Sequence, residues 1–245
     1  MKTRFPHNRS LTGVKVLMAL FTLHSSLFFS SCSQDVYDKG EGKYSLMRGD
    51  FAEAKVNASR HIVSITTDDG DQLPLAEPYT AKWITTADTL YRCMLYYNKV
   101  ENDQGSPMAD MISIAQVPCP TIVPLSEFDK EMRTDPVKFE SSWMSKSGKY
   151  LNVSLQVKTG VTDDTAAVQS LALICDTIMA YPTLVPGDTV RTTHLRLHHD
   201  QGNVPEYYST QVYLSIPVPA LGTDSVRISI NTYDGIIEKR FTLKK

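Results

Sequence analysis

Cysteine is scarce in this 245-residue chain: Cys32, Cys93, Cys119 and Cys175 are the only four, and no two are spaced Cys-x-x-Cys. That spacing is the usual grammar of a structural zinc site, so none is expected. There is no Gly-rich phosphate loop and no Gly-x-Ser-x-Gly elbow. The first absence argues against nucleotide binding by a phosphate-cradling loop, and the second against the strained nucleophile turn of many hydrolases. Basic charge is not in excess either, with 25 Lys and Arg against 27 Asp and Glu. Phosphate backbones demand basic surfaces, so no nucleic-acid partner is expected. No apolar run reaches the roughly 20 residues that a membrane-spanning helix requires.

What is present at the start is an address. Lys2, Arg4 and Arg9 precede an apolar run from Val16 to Phe29, which Thr22, His24, Ser25 and Ser26 interrupt. Small residues follow, then Cys32. A basic start, a short apolar stretch and small residues before a cleavage point read as a secretory signal over residues 1–31. The cysteine directly after Ser30-Ser31 resembles that of a bacterial lipoprotein signal, with Cys32 acylated as the new N-terminus. Such an anchor holds a domain at a membrane surface without a spanning segment. Residues 32–43 are polar, with Asp35, Asp38 and Glu41, and read as a flexible tether. Removing the signal takes away four basic residues and no acidic ones, leaving a mature charge of −6.

Two-residue alternation runs through most of the remainder, the mark of half-buried strands. Ala52, Ala54 and Val56 share one face; so do Tyr91, Cys93, Leu95 and Tyr97. About five strand-sized segments lie in residues 44–123, and a small closed barrel is a sensible packing for them. Pro118, Pro120, Pro124 and Pro136 then punctuate a stretch of different composition. Residues 124–136 are expected to be a linker holding a short helix from Glu127 to Arg133, with Ser126 as its cap. Alternation returns over residues 137–245, where Leu151, Val153, Leu155 and Val157 oppose Asn152, Ser154 and Gln156. Asp234-Gly235 between two alternating runs predicts a hairpin turn. The expected class is all-β: a small OB-like β-barrel followed by an antiparallel β-sandwich, with a short helix at the join.

The lipoprotein signal, the small barrel, the proline-rich join and the C-terminal sandwich together resemble the NigD-like lipoprotein family. The residues that carry the likeness are Trp143-Met-Ser-Lys-Ser-Gly-Lys-Tyr-Leu-Asn-Val-Ser-Leu155 and His194-Leu-Arg-Leu-His-His-Asp200. The resemblance implies an N-terminal OB-like domain and a C-terminal β-sandwich. The family's name comes from a bacteriocin operon, which implies an immunity or secretion-accessory role. No catalytic residues come with it.

Four groups of side chains are candidates for chemistry. His194, His198, His199 and Asp200 are the one cluster of metal-type ligands, yet on a strand His194 and His198 stand about 13 Å apart. Zinc ligands each lie about 2 Å from the metal, so no metal is expected. Trp83, Tyr91, Tyr96 and Tyr97 fall in the barrel region. Exposed aromatics on such a barrel stack on sugars, while Tyr91 and Tyr97, sharing a face with Cys93 and Leu95, read as core and only Tyr96 points the other way. Asp-Thr or Asp-Ser before an apolar residue recurs five times, at Thr89, Thr165, Thr177, Thr189 and Ser225. It resembles the O-glycosylation acceptor of some Gram-negative envelope proteins. The same residues are also ordinary turn-to-strand grammar. Lastly, an exported protein can form a disulfide, and Cys93–Cys119 is the expected pair.

These readings converge on a non-catalytic lipoprotein of the cell envelope, expected at the outer membrane and without a cofactor. Its expected partners are the membrane, through the lipid, and another envelope protein. The second reading is a carbohydrate-binding module that presents barrel aromatics to a glycan.

Overall fold

The computed structural model describes residue 42, residues 45–185 and residues 187–243. The expected signal over residues 1–31 and the lipid attachment at Cys32 lie outside the described residues, as does nearly all of the 32–43 tether. Thirteen strands make up the described chain: β1 Arg48–Val56, β2 Ile62–Thr67, β3 Gln72–Tyr79, β4 Leu90–Glu101, β5 Pro107–Gln116, β6 Ile122–Pro124, β7 Lys138–Met144, β8 Tyr150–Thr159, β9 Ser170–Pro182, β10 Thr189–Asp200, β11 Tyr208–Pro217, β12 Ser225–Thr232 and β13 Gly235–Thr242.

Strands β1 to β5 close into a barrel in the order β1-β2-β3-β5-β4. Every pairing is antiparallel except β3 with β5, which is parallel. Alternation decides what fills it. Ala52, Ala54, Val56, Ile65, Leu73, Cys93, Leu95 and Tyr97 point inward and are buried. The all-β class and the barrel agree with the sequence reading.

The sandwich is built from a five-stranded sheet, β13-β12-β10-β9-β6, and a three-stranded sheet, β11-β8-β7. Leu151, Val153, Leu155 and Val157 of β8 meet Leu195, Leu197, Val226, Ile228 and Ile230 in one core. The larger sheet is mixed, which corrects the expectation of a purely antiparallel sandwich. β10 runs parallel to β12 because the chain leaves β10 for β11 in the other sheet before returning. β6 runs parallel to β9, and it straddles the expected boundary at residue 123 to join the sandwich sheet. The β12–β13 hairpin turns at Tyr233-Asp234 into Gly235, as the Asp-Gly signal predicts.

The helix expected over Glu127–Arg133 is not formed. Its place is taken by a single 3-10 turn at Leu125–Glu127, with Pro124 rather than Ser126 at the cap position and no side-chain cap bond. Seven residues cannot easily offset the cost of helix nucleation, and this segment has a better partner. The His199 N–H donates to the Arg133 carbonyl at 3.1 Å, and the Asp135 N–H donates to the His199 carbonyl at 2.9 Å. The join therefore runs extended along β10.

Candidate functional site

A dense polar network lies where the barrel meets the sandwich. Arg92 leaves β4 on the outside of the barrel, yet its side chain is only 1% exposed. Its Nη1 and Nη2 donate to the two carboxylate oxygens of Asp68, at 2.7 and 2.6 Å. Its Nε donates to Ser215 Oγ of β11 at 3.1 Å. Ser215 Oγ donates in turn to Asn152 Oδ1 of β8 at 2.6 Å, and Arg92 Nη2 reaches the same oxygen at 3.3 Å. The guanidinium also lies over the rings of Tyr150, 4.2 Å from its centroid, and Phe51, at 5.3 Å. Phe51 of β1 meets Trp143 and Tyr213 of the three-stranded sheet edge-on, with centroids 5.5 and 5.2 Å apart.

An ionic rim surrounds this centre. Glu53 accepts from Lys149 Nζ at 2.8 Å and from the Tyr150 hydroxyl at 2.9 Å. Burial pushes the Glu53 carboxyl up, but those two donors outweigh it and hold the group below the ordinary carboxylate value. Lys146 adds a bond to Asp69 at 2.9 Å. None of Arg92, Asp68, Asn152 or Ser215 stood out in the sequence as a functional residue. The readable signal was only that Asn152, Ser154 and Ser215 supply the polar face of otherwise apolar strands.

The histidines of the predicted cluster are separated by their hydrogen bonds. His199 is buried; its Nδ1 lies 2.9 Å from the Asp135 carbonyl and its Nε2 2.9 Å from Gln169 Nε2. A carbonyl can only accept, so Nδ1 carries the proton and Nε2 accepts from the amide. His198 lies on the opposite face of β10, also buried, and its Nδ1 accepts the Arg133 N–H at 3.2 Å. Its ring packs edge-on against Phe128 at 4.9 Å. Burial pulls its basicity below the ordinary value. His194 bonds the Tyr181 hydroxyl at 3.0 Å, and Asp200 accepts the Gly202 N–H at 3.0 Å. Among the described residues no group of three His, Cys, Asp or Glu is placed to hold a metal.

Beside this cluster opens a cavity of about 710 Å³, lined by Arg133, Asp135, Asp200 and the 201–206 loop. Gly202 shapes it. Its φ is +55°, and a Cβ there would stand 1.9 Å from the Val168 carbonyl oxygen. The Gln201 amide ties the loop down by donating to the Lys158 and Val204 carbonyls at 3.0 and 2.9 Å.

The barrel aromatics do not form an exposed row. Tyr97 is fully buried, and its hydroxyl donates to Asp50 at 3.0 Å. Trp83 and Tyr91 pack edge-on at 5.5 Å against the barrel core. The Tyr91 phenol oxygen accepts the backbone N–H groups of Thr85 and Thr86, at 3.0 and 2.8 Å. These bonds to Thr85 and Thr86 hold its ionisation down at about 8. Of these four only Tyr96 is exposed, lying against Gly49; Tyr79 of β3 is exposed as well.

The expected Cys93–Cys119 disulfide is not present, because Cys93 points into the barrel while Cys119 is exposed after β5; both are free thiols, as is Cys175. Of the acceptor-like positions, Thr165, Thr177 and Thr189 are exposed and Thr89 is half-buried. Ser225 Oγ lies 2.7 Å from Thr192 Oγ1. No helix among the described residues is long and apolar enough to cross a membrane.

The family model of the NigD-like C-terminal beta sandwich domain matches residues 121–243. No curated protein matches the chain. Among solved structures, a NigD-like immunity protein from Bacteroides caccae is 20% identical, with a TM-score of 0.60 over 80% of this chain and 97% of its own. A candidate toxin-related protein from Parabacteroides distasonis is 16% identical, with a TM-score of 0.55 over 80% of this chain and 92% of its own. A candidate lipoprotein from Bacteroides fragilis is 15% identical, with a TM-score of 0.53 over 81% and 99%. At these identities the likeness is one of fold.

Proposed function

The chain belongs to the NigD-like family, and from that premise we propose that it is a non-catalytic envelope lipoprotein, anchored through Cys32, that acts by binding another envelope protein. The observation that carries the reading is the family match over residues 121–243. An immunity-like role against a toxin is the finer form of it; the relative from Bacteroides caccae bears the name of an immunity protein. The non-catalytic part is supported by where the chemistry-bearing side chains are engaged. Arg92 joins barrel to sandwich, His198 and His199 hold the extended join, and Cys93 fills the barrel. The anchor is proposed to place the protein at the outer membrane of a Gram-negative cell. Thr165, Thr177 and Thr189 are the accessible candidates for glycans; an intact mass showing only peptide and lipid would remove them from the proposal.

The test is crosslinking in cells, followed by affinity capture and mass spectrometry, against a Cys32→Ala control. The expected result is one envelope protein enriched with the wild type and lost in the control, together with loss of the wild type's detergent-phase partitioning. Equal partitioning of both forms would overturn the anchor. Equal capture by both would overturn the anchored binding role. The glycan-module reading is not favoured, since Tyr97 is buried and Trp83 and Tyr91 pack on the barrel core.

A further inference from the structure

We propose that the outer face of the five-stranded sheet carries a binding site for a singly charged oxyanion, a carboxylate or a phosphate diester, centred on Arg227. Val226, Ile228 and Ile230 of β12 face the core, so Ser225, Arg227 and Ser229 face outward. Register then sets two lateral rows across the sheet. One is Arg240 of β13, Arg227 of β12 and His194 of β10; the other is Thr242, Ser225 and Thr192 on the same strands.

The first row is electrostatically incomplete. Arg227 and Arg240 are direct cross-strand partners, an arrangement in which like charges repel. Glu238 relieves only Arg240, with Oε2 at 2.7 Å from its Nε and 2.6 Å from its Nη2. No carboxylate among the described residues reaches Arg227, whose guanidinium lies over the Tyr181 ring, 5.1 Å from the centroid. The other acids nearby are already engaged. Asp176 pairs with Arg196 at 2.8 Å, and Asp224 accepts the Arg191 N–H at 2.8 Å. Arg240 and Glu238 cancel, so between the two arginines one positive charge is left, and a monoanion balances it.

The second row adds donors. Thr192 is buried and Ser225 half-buried, and they share one hydrogen bond at 2.7 Å; with Thr192 donating, the Ser225 hydroxyl proton is left to turn outward. A cavity of about 290 Å³ opens over both rows, lined by Tyr181, Thr192, Ser225, Arg227 and Arg240 among others. The planar fork of a guanidinium matches the two oxygens of a carboxylate or a phosphate diester. This site is independent of the family assignment and of the barrel–sandwich junction.

The test is a titration of the purified protein with sodium acetate and, separately, dimethyl phosphate, followed through the arginine Nε–Hε resonances. Saturable shifts at Arg227 and Arg240 are expected with at least one probe, and which probe binds tighter tells a carboxylate from a phosphate diester source. Arg227→Gln is expected to weaken binding tenfold or more. Glu238→Gln, which frees Arg240 for the anion, is expected to tighten it severalfold. Both changes are on the solvent face of the sheet and leave the core intact. Absence of saturable shifts, wild-type affinity in Arg227→Gln, or unchanged or weaker affinity in Glu238→Gln would each overturn the proposal.

Discussion

Cys93 shows how burial alone sets the chemistry of a side chain. Inside the barrel its thiol is pushed up to about 12, chiefly by desolvation, and its Sγ donates to the Ala52 carbonyl at 3.4 Å. The thiolate is the reactive form, so Cys93 is inert at neutral pH. Iodoacetamide at pH 8 is expected to label the exposed Cys119 of the folded, unreduced protein and to spare Cys93 until denaturant is added. Loss of Cys119 labelling that reductant restores would reinstate the disulfide. His198 makes a second prediction at this scale. Burial depresses its folded pKa below the unfolded value of about 6.5. The unfolded chain therefore takes up the proton first, and stability is fully present above pH 6.5 and falls as pH drops through the window below it. Protonation of Nδ1 also removes the acceptor for the Arg133 N–H. Urea midpoints measured from pH 7.5 to 5 are expected to fall, and His198→Asn is expected to flatten that part of the profile. An unchanged profile in the variant would show that another group governs it.

At the scale of elements, the extended join and the 201–206 loop depend on one another through His199, Asp135 and Gln201. Asp135 illustrates the coupling: its carbonyl meets His199 Nδ1, and its carboxylate accepts the Gln201 N–H at 2.8 Å. The loop closes only because residue 202 has no side chain. Gly202→Ala combines a left-handed backbone with a clash against the Val168 carbonyl, and is expected to cost about 3 kcal/mol or more. Thermal denaturation would measure it. A loss under about 0.5 kcal/mol would mean that the loop relaxes freely. The strands themselves were readable because burial on one face imposes period two, as in Ala52, Ala54 and Val56. The helix at the join was misread because Ser-Glu-Phe-Asp carries local capping grammar, while the hydrogen bonds that win are made with β10, some 65 residues away in sequence. Local pattern cannot weigh a distant partner.

For the molecule as a whole, Arg92 is the decisive residue. Barrel and sandwich each have their own apolar core, and the junction between them is polar at its centre. Removing one member of a buried ion pair leaves the other uncompensated, which typically costs about 3–5 kcal/mol. Arg92→Met is therefore expected to lower stability by about that amount and to let barrel and sandwich unfold at different denaturant concentrations as the two modules lose their fastening. Denaturation followed separately through Trp83 of the barrel and Trp143 of the sandwich, each in a single-tryptophan background, would detect it. Coincident transitions with a loss below about 1 kcal/mol would show that the aromatic contacts of Phe51 suffice.

The all-β class, the inward faces of β1, β4 and β8, and the hairpin at Asp234-Gly235 were determined by the sequence by itself. Each follows from alternation or turn chemistry within about ten residues. Tertiary structure alone decided the parallel pairing of β10 with β12 and the extended join. It alone decided the fate of β8's polar face as well. Asn152 and Ser154 lie opposite the apolar face of β8, and the barrel together with Gln211 buries them. The physical reason is the same in every case: which polar group becomes buried, and which partner then satisfies it, depends on surfaces contributed by distant parts of the chain.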